Sequence, residues 1–145
     1  DCITQVTATS NKFRGLPKGS RAVQIADGST SNYFLTAFGR AKRESVCSCE
    51  VQMEPNLSQA LHLLYGNTIE EKIRSGGLIK ALLDAKKTPE EIIEDLYLAA
   101  LSRYPSLKET DFMLQAFDQP GSTRRTASED ILWTLLNTKE FLYNH

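Results

Sequence analysis

The sequence holds little of what catalysis and cofactor chemistry draw on. Its 145 residues include two histidines, three cysteines and one tryptophan. No Gly-x-Ser-x-Gly occurs, so no serine stands on the strained elbow that an α/β-hydrolase nucleophile requires. Gly76-Gly77 has no Lys-Ser/Thr after it and no strand-like run before it, which excludes a phosphate-cradling loop. Cys-x-x-Cys-His is absent, so this stretch attaches no c-type haem. No window approaches eighteen consecutive apolar residues, and no helical membrane span is expected. An excess of one charge is missing too, with 17 Lys/Arg against 18 Asp/Glu. Residues 1 to 50 carry seven basic against four acidic side chains, a net of +3, and the rest carry ten against fourteen, a net of −4. Nucleic-acid binders show a dense basic stripe, so no nucleic-acid partner is expected.

What is present is helical. The reading is a mainly α fold, a compact multi-helix bundle with an extended, irregular N-terminal arm. A chain of this length with 41% apolar residues suits a single domain that buries roughly two-thirds of its unfolded surface. Residues 1–50 are assigned to the arm and its C-x-C segment, and residues 51–145 to the helical body. The chain starts at Asp1 without a methionine, which reads as the C-terminal fragment of a longer protein.

The best-marked stretch is TPEEIIEDLYLAALSRYPSLKE, residues 88 to 109. Thr88 caps, Pro89 takes the first helical position and Glu91 completes a capping box. Ile92, Ile93, Leu96, Tyr97, Ala100 and Leu101 recur at spacings of three and four, which predicts one broad apolar face. Pro105 is read as the stop. Ser106 with Glu109 repeats the cap spacing and predicts a second helix to Phe117, with Leu107, Met113, Leu114 and Phe117 facing inward.

A polar turn over residues 118–125 precedes a third predicted box, Thr126 with Glu129. It opens a terminal helix through Ile131, Leu132, Trp133, Leu135, Leu136, Phe141 and Leu142. So apolar a helix needs a partner face, and the Ile92 to Leu101 stripe is the natural one. Acidic pairs such as Glu70-Glu71, Glu90-Glu91 and Glu94-Asp95 sit in first turns or on outward faces and read as solvated caps.

Upstream, Asn67 or Thr68 is expected to start a short helix over Ile69 and Ile73 that ends at Gly76-Gly77, followed by another over Leu78 to Asp84. Asn56 is expected to cap a helix through Leu57 and Leu64, with Gly66 as its left-handed stop and His62 within it. In the arm, Ile3 to Thr7 and Arg21 to Ile25 alternate weakly, as short strands do or as segments lying along the helical body do. Tyr33, Phe34, Leu35 and Phe38 anchor the arm on a core. The spacing of Tyr33, Tyr65, Tyr97, Tyr104 and Trp133 places most of them on core-facing stripes and argues against a glycan platform.

GRAKRESVCSCE, residues 39–50, is the chemically richest stretch. In extended backbone Cys47 and Cys49 point to the same side. Arg40, Lys42 and Arg43 nearby favour the thiolate. Several outcomes are open to these sulfurs. Zinc needs four ligands, and beyond this pair the supply is Cys2, His62, His145 and carboxylates. A Cys47–Cys49 bridge closes a very small, strained ring, a Cys2 bridge to either needs an oxidising compartment, and buried free thiols need neither.

Four stretches read together as one family: residues 32–50, 54–69, 90–109 and 129–145, carrying NYFLTAFGR, CSCE, LSQALHLLYG, LYLAALSRYPS and LLNTKEFLYNH. They resemble a planctomycete-specific C-terminal domain of unknown function, and LPKGSRAVQIADG (16–28) fits its upstream pattern. Val51, Asn56, Tyr65 and Ser106 depart from the pattern, where the family shows arginine, serine, asparagine and threonine. The resemblance implies an exported (periplasmic or extracellular) multidomain protein that also carries planctomycete-type cytochrome c domains. The haem then lies upstream, with no cofactor and no metal in this segment, and the upstream domains are the expected partners.

The family lends no reaction. Asn32, Arg40, Cys47, Cys49, Glu50 and His62 transfer only as motif positions, a candidate cluster without assigned roles. An exported setting favours cysteine bridging, with Cys2 as a mate. Two functional expectations follow: a non-catalytic helical interaction module, or a redox-active or metal-linked thiol site on Cys47/Cys49 with Arg40, Glu50 and His62. If the terminal helix completes the core, a chain ending at Thr126 loses its cooperative thermal unfolding transition and most of its far-UV helical signal.

Overall fold

The computed structural model describes residues 1–26, 32–40, 59 and 67–144. The protein is mainly α-helical, with no strand among the described residues. It divides into two compact units, one of Asp1 and Ser10–Thr68, the other of Cys2–Thr9 and Ile69–His145.

In the second unit, α1 (Cys2–Val6) is followed by α3 (Asn67–Ser75), α4 (Gly77–Asp84), α5 (Pro89–Leu101), α6 (Leu107–Leu114), α7 (Arg124–Leu136) and α8 (Lys139–Asn144), where α2 (Tyr33–Ala37) belongs to the first. The core is the pairing of α5 with α7, the most extensive contact between elements. Ile92, Ile93, Leu96 and Ala100 of α5 and Leu132 and Leu136 of α7 are wholly buried, with Tyr97, Ile131 and Leu135 nearly so. This is the predicted partnership, and the cause is the one read from spacing: each helix has a single apolar face and nowhere else to bury it. Leu101 is half-buried at the end of the stripe.

Each of these helices begins with a built cap. At α5 the Glu91 amide donates to Thr88 Oγ1 at 3.3 Å and the Thr88 amide to Glu91 Oε2 at 2.7 Å. At α6 the Ser106 amide donates to Glu109 Oε2 at 2.8 Å, and the Glu109 amide returns to Ser106 Oγ at 3.4 Å. α5 stops before Pro105, because Ser102 turns left-handed (φ 56°) and its amide closes on the Leu98 carbonyl.

Three expectations about the C-terminal part are corrected. Thr126 does not cap the terminal helix. Thr123 does, with Thr126 as its third residue: the Thr126 amide donates to Thr123 Oγ1 at 3.2 Å and the Thr123 amide to Thr126 Oγ1 at 2.8 Å. A threonine hydroxyl takes the place of the usual carboxylate. Glu129 is thereby free to accept from Arg125 Nε at 2.8 Å, one turn away. The terminal helix is also two helices. The Asn137 side chain donates to the Trp133 carbonyl at 2.8 Å, and Thr138 Oγ1 accepts the Phe141 amide at 3.2 Å, restarting the helix. Phe141 is buried, while Leu142 is 38% exposed.

On α6, Leu107 does not face inward. It is 86% exposed, as the first helical residue beyond the turn, whereas Leu114, seven residues on along the same stripe, is half-buried with Met113 and Phe117.

α1 corrects the strand reading of Ile3 to Thr7: it is a helical turn lying against α3. Lys72 Nζ donates to Thr4 Oγ1 at 3.2 Å and to Thr9 Oγ1 at 3.5 Å. Buried Thr7 donates to the Ile3 carbonyl at 2.7 Å. Between α3 and α4, a Cβ on Gly76 would stand 2.1 Å from the Thr7 carbonyl oxygen, so only glycine allows the approach. α3 and α4 run as expected, with Ile69, Ile73, Ile79 and Leu82 buried.

In the first unit, Arg21 to Ile25 forms no strand either. Ala22–Gln24 is a 3₁₀ turn held by Asp1, whose carboxylate accepts the Ala22 amide at 2.6 Å and the Val23 amide at 3.3 Å. Phe13 and Ile25 are buried, and the Phe34 and Phe38 rings of α2 stack at 4.5 Å. The helix expected from Asn56 to Gly66 lies outside the described residues, Gln59 excepted, which is helical.

Replacing wholly buried Ile93 by alanine is expected to cost about 2–5 kcal/mol through lost transfer energy and a residual cavity. Leu107→Ala should stay within about 0.5 kcal/mol of the parent. Urea unfolding of the two variants side by side checks both values.

Candidate functional site

Of the six residues singled out from the sequence, Cys47, Cys49, Glu50 and His62 lie outside the described residues. The other two stand at the two ends of one short helix. Asn32 caps α2, its Oδ1 accepting the Leu35 amide at 3.1 Å. The Arg40 amide closes the same helix on the Leu35 carbonyl at 2.9 Å, after Gly39 has turned left-handed at φ 78°. The N-x-F-L-x-x-F-G-R pattern is therefore a helix with its start and stop attached. Cys2 is an exposed thiol. Among the described residues no group of three or more His, Cys, Asp or Glu is placed to hold a metal ion.

The most developed polar constellation was not anticipated. Arg103, in the turn after α5, donates from Nη2 to Glu109 Oε1 at 2.7 Å and from Nη1 to Glu109 Oε2 at 3.1 Å. The same guanidinium donates from Nε to Glu140 Oε1 at 2.7 Å and from Nη2 to Glu140 Oε2 at 2.9 Å. Nη1 also reaches the Tyr104 carbonyl at 3.1 Å. Both carboxylates are engaged in the paired, fork-on-fork geometry that only arginine offers. The guanidinium carbon stands 5.4 Å from the centroid of the Tyr97 ring. One cation thus ties the α5–α6 turn, the first turn of α6 and α8 together over a core aromatic.

Electrostatics follow the geometry. Hydrogen bonds from Arg103, then from Ser106, pull the Glu109 carboxyl down from 4.5 to about 2. Glu140 is lowered by its bond to Arg103, and the Arg103 guanidinium is raised further by Glu140 and then Glu109. Burial, with Glu109 nearby, raises the Tyr97 phenol. The three charged side chains are 34–38% exposed, so water and salt screen the pairs and their contribution is that of a surface network.

Two other cations also have side-chain partners. Lys87 is bonded to Asp95, which raises its pKa. Lys72, beside the hydroxyls of Thr4 and Thr9, is lowered by burial. Arg124 and Arg125 bind backbone, donating to the carbonyls of Lys87 and Arg74, the latter at 3.1 Å. Chemically the arrangement clamps helices and leaves no described base or nucleophile in an activated pairing.

Sequence reasoning missed Arg103 and Glu140 because the pair is 37 residues apart. The only local signal was Glu109, already assigned to the cap that it also makes. No family model, curated protein or solved structure matches the chain.

Glu109 has its folded pKa below its unfolded one, so its contribution to stability is full above about pH 4.5 and is lost as pH falls towards about 2. Arg103→Leu should flatten the fall in stability across that window. It should also return Glu109 towards ordinary titration, read by NMR of the side-chain carboxyl.

Proposed function

We propose that this chain is a non-catalytic helical interaction module of an exported multidomain protein that also carries cytochrome c-type domains. The observation that carries the reading is what the helical unit does with its side chains. Apolar faces close the α5–α7 core, the caps are self-satisfied, and the conspicuous cation of the unit is consumed by two of its own carboxylates.

What remains on the surface is large and apolar. Tyr104, Phe112 and Tyr143 are 66%, 65% and 74% exposed, as partner-facing side chains are before they dock. Tyr33, at 69%, is another. Of the set Tyr33, Tyr65, Tyr97, Tyr104 and Trp133, whose spacing sends most inward, Tyr97 is buried and Trp133 half-buried, Tyr33 and Tyr104 are exposed, and Tyr65 lies outside the described residues. The docking partners are the upstream domains of the parent protein, which hold the haem. No nucleic acid is engaged, and the residues here serve no cofactor. Among the described residues no helix is long and apolar enough to cross a membrane.

Thiol titration with and without denaturant, together with metal analysis of the purified protein, tests the reading. Bridged or slowly reacting Cys47 and Cys49 and no stoichiometric metal are expected. Fast-reacting thiols in the native protein, or bound zinc or iron that leaves when either cysteine is replaced by serine, would establish a thiol site and overturn the non-catalytic reading.

A further inference from the structure

The break between α7 and α8 interrupts a helical period that the sequence carries through it. On an unbroken helix Leu142 would lie two turns beyond Leu135, on the buried stripe of α7. In the fold Phe141 is buried instead, and Leu142 is left 38% exposed. The bonds that form the bend run between residues 133 and 142. The Asn137 side chain donates to the Trp133 carbonyl at 2.8 Å, the Thr138 hydroxyl to the Leu135 carbonyl at 2.7 Å, and the Phe141 amide to Thr138 Oγ1 at 3.2 Å. Asn137 stands at φ −97° and ψ 1°, so a turn of about 40° in ψ brings it to helical values. The bend is a local choice, with a continuous helix as its alternative.

The seat of α8 is built from surfaces distant in sequence. α8 lies on α5 and α7, with Phe141 buried and Glu140 gripped by Arg103 at 2.7 Å and 2.9 Å. Arg103 is itself positioned by Glu109, at 2.7 Å and 3.1 Å, whether or not α8 is in place. None of these contacts depends on which chain supplies α8. A six-residue helix is about 9 Å long and far too short to hold its shape alone. Straightening at Asn137 carries α8 off α5 while α7 keeps its place in the core, and leaves behind an open seat.

We propose that α8 is an exchangeable element: with Asn137 and Thr138 as the hinge, the seat on α5, α7 and Arg103 takes the α8 of a second copy of this chain and gives its own in return. The fold itself shows the fit, a carboxylate for the guanidinium followed directly by an aromatic for the core, and a second copy brings both at the same spacing. Exchange is reciprocal, so the pair closes on a two-fold axis with both seats filled. Within one chain α8 competes at the high effective concentration that a short tether confers. The parent is therefore monomeric at micromolar concentration, and the exchanged dimer gains as concentration rises. The inference concerns copies of this chain, not the upstream domains, and stands whether or not the docking role above holds.

Sedimentation equilibrium on the whole chain, from micromolar to millimolar concentration, reads it. Asn137→Ala and Thr138→Ala, made together, remove the side chains that form the bend and add two good helix formers. The dimer association constant should rise at least about tenfold over the parent. In that background Arg103→Glu spoils the seat and Glu140→Arg spoils the arm, so each alone should weaken the dimer. An equimolar mixture of the two should recover it as a heterodimer, since the reversed arm meets the reversed seat and the unaltered arm the unaltered seat. Adding Phe141→Ser to the Glu140→Arg chain should abolish the recovery, which separates exchange from plain attraction between oppositely altered molecules. Far-UV circular dichroism checks the fold of each chain. Lys139→Pro decides the matter independently of Arg103: proline suits the first position of α8 but not the middle of an unbroken helix. Placed in the hinge variant, it should return the chain to the monomer. A hinge variant that stays monomeric at millimolar concentration, a mixture of folded chains that does not associate, or a dimer indifferent to Lys139→Pro would each overturn the proposal.

Discussion

Burial of two opposed helix faces holds the helical unit together. α5 offers Ile92, Ile93, Leu96 and Ala100, α7 offers Ile131, Leu132, Leu135 and Leu136, and each face is apolar over a stripe too wide to leave in water. Neither helix has a second apolar face, so the pairing has no competing solution within the unit. The remaining elements are arranged around it: α4 lies on α7, α6 on α5, and α8 contacts both.

Polar chemistry then decides orientation. Hydrophobic burial is non-directional, and by itself it would let α6 and α8 rotate or slide on the core. The Arg103 clasp removes that freedom, because a planar guanidinium gripping two carboxylates through paired hydrogen bonds admits one geometry. Glu109 belongs at once to the cap of α6 and to the clasp, so the start of that helix and its rotation are set by one side chain. Elsewhere in the unit, Gly76 lets the backbone of Thr7 approach to a distance no Cβ would allow, and the Lys72 ammonium donates to the hydroxyls of Thr4 and Thr9. The unit is thus apolar in its interior and pinned by charge and backbone contact at its margins. The surface of α6 is what this pinning leaves outward.

Much of this was legible from residue order. Thr88-Pro89-Glu91 and Ser106-Glu109 announce their helices because a capping box is closed within four residues. The same locality made Asn67 to Asp84 readable as two short helices broken at glycine. Legibility failed where a single substitution of role was possible. Thr126 was read as a cap because Glu129 follows three residues later, yet Thr123 with Thr126 satisfies the same amides and releases Glu129 to Arg125. It failed again at Asn137-Thr138, where side chains that look ordinary in a helix bond to the preceding backbone and restart the chain. Of the candidate cluster, Asn32 and Arg40 proved to be the two ends of one short helix.

Sequence alone determined α3 to α6, the capped beginnings of α5 and α6 and the identity of the two faces that meet, since each depends on residues within a few positions of one another and on the period of the helix. Tertiary structure alone decided that Arg103 holds Glu140, that Leu107 and Phe112 face outward, and that α1 is a helical turn held against α3. Those outcomes depend on which distant surfaces arrive at the same place, and a charge or apolar side chain has no record, in its own neighbourhood of the chain, of the partner that burial of the core will bring to it.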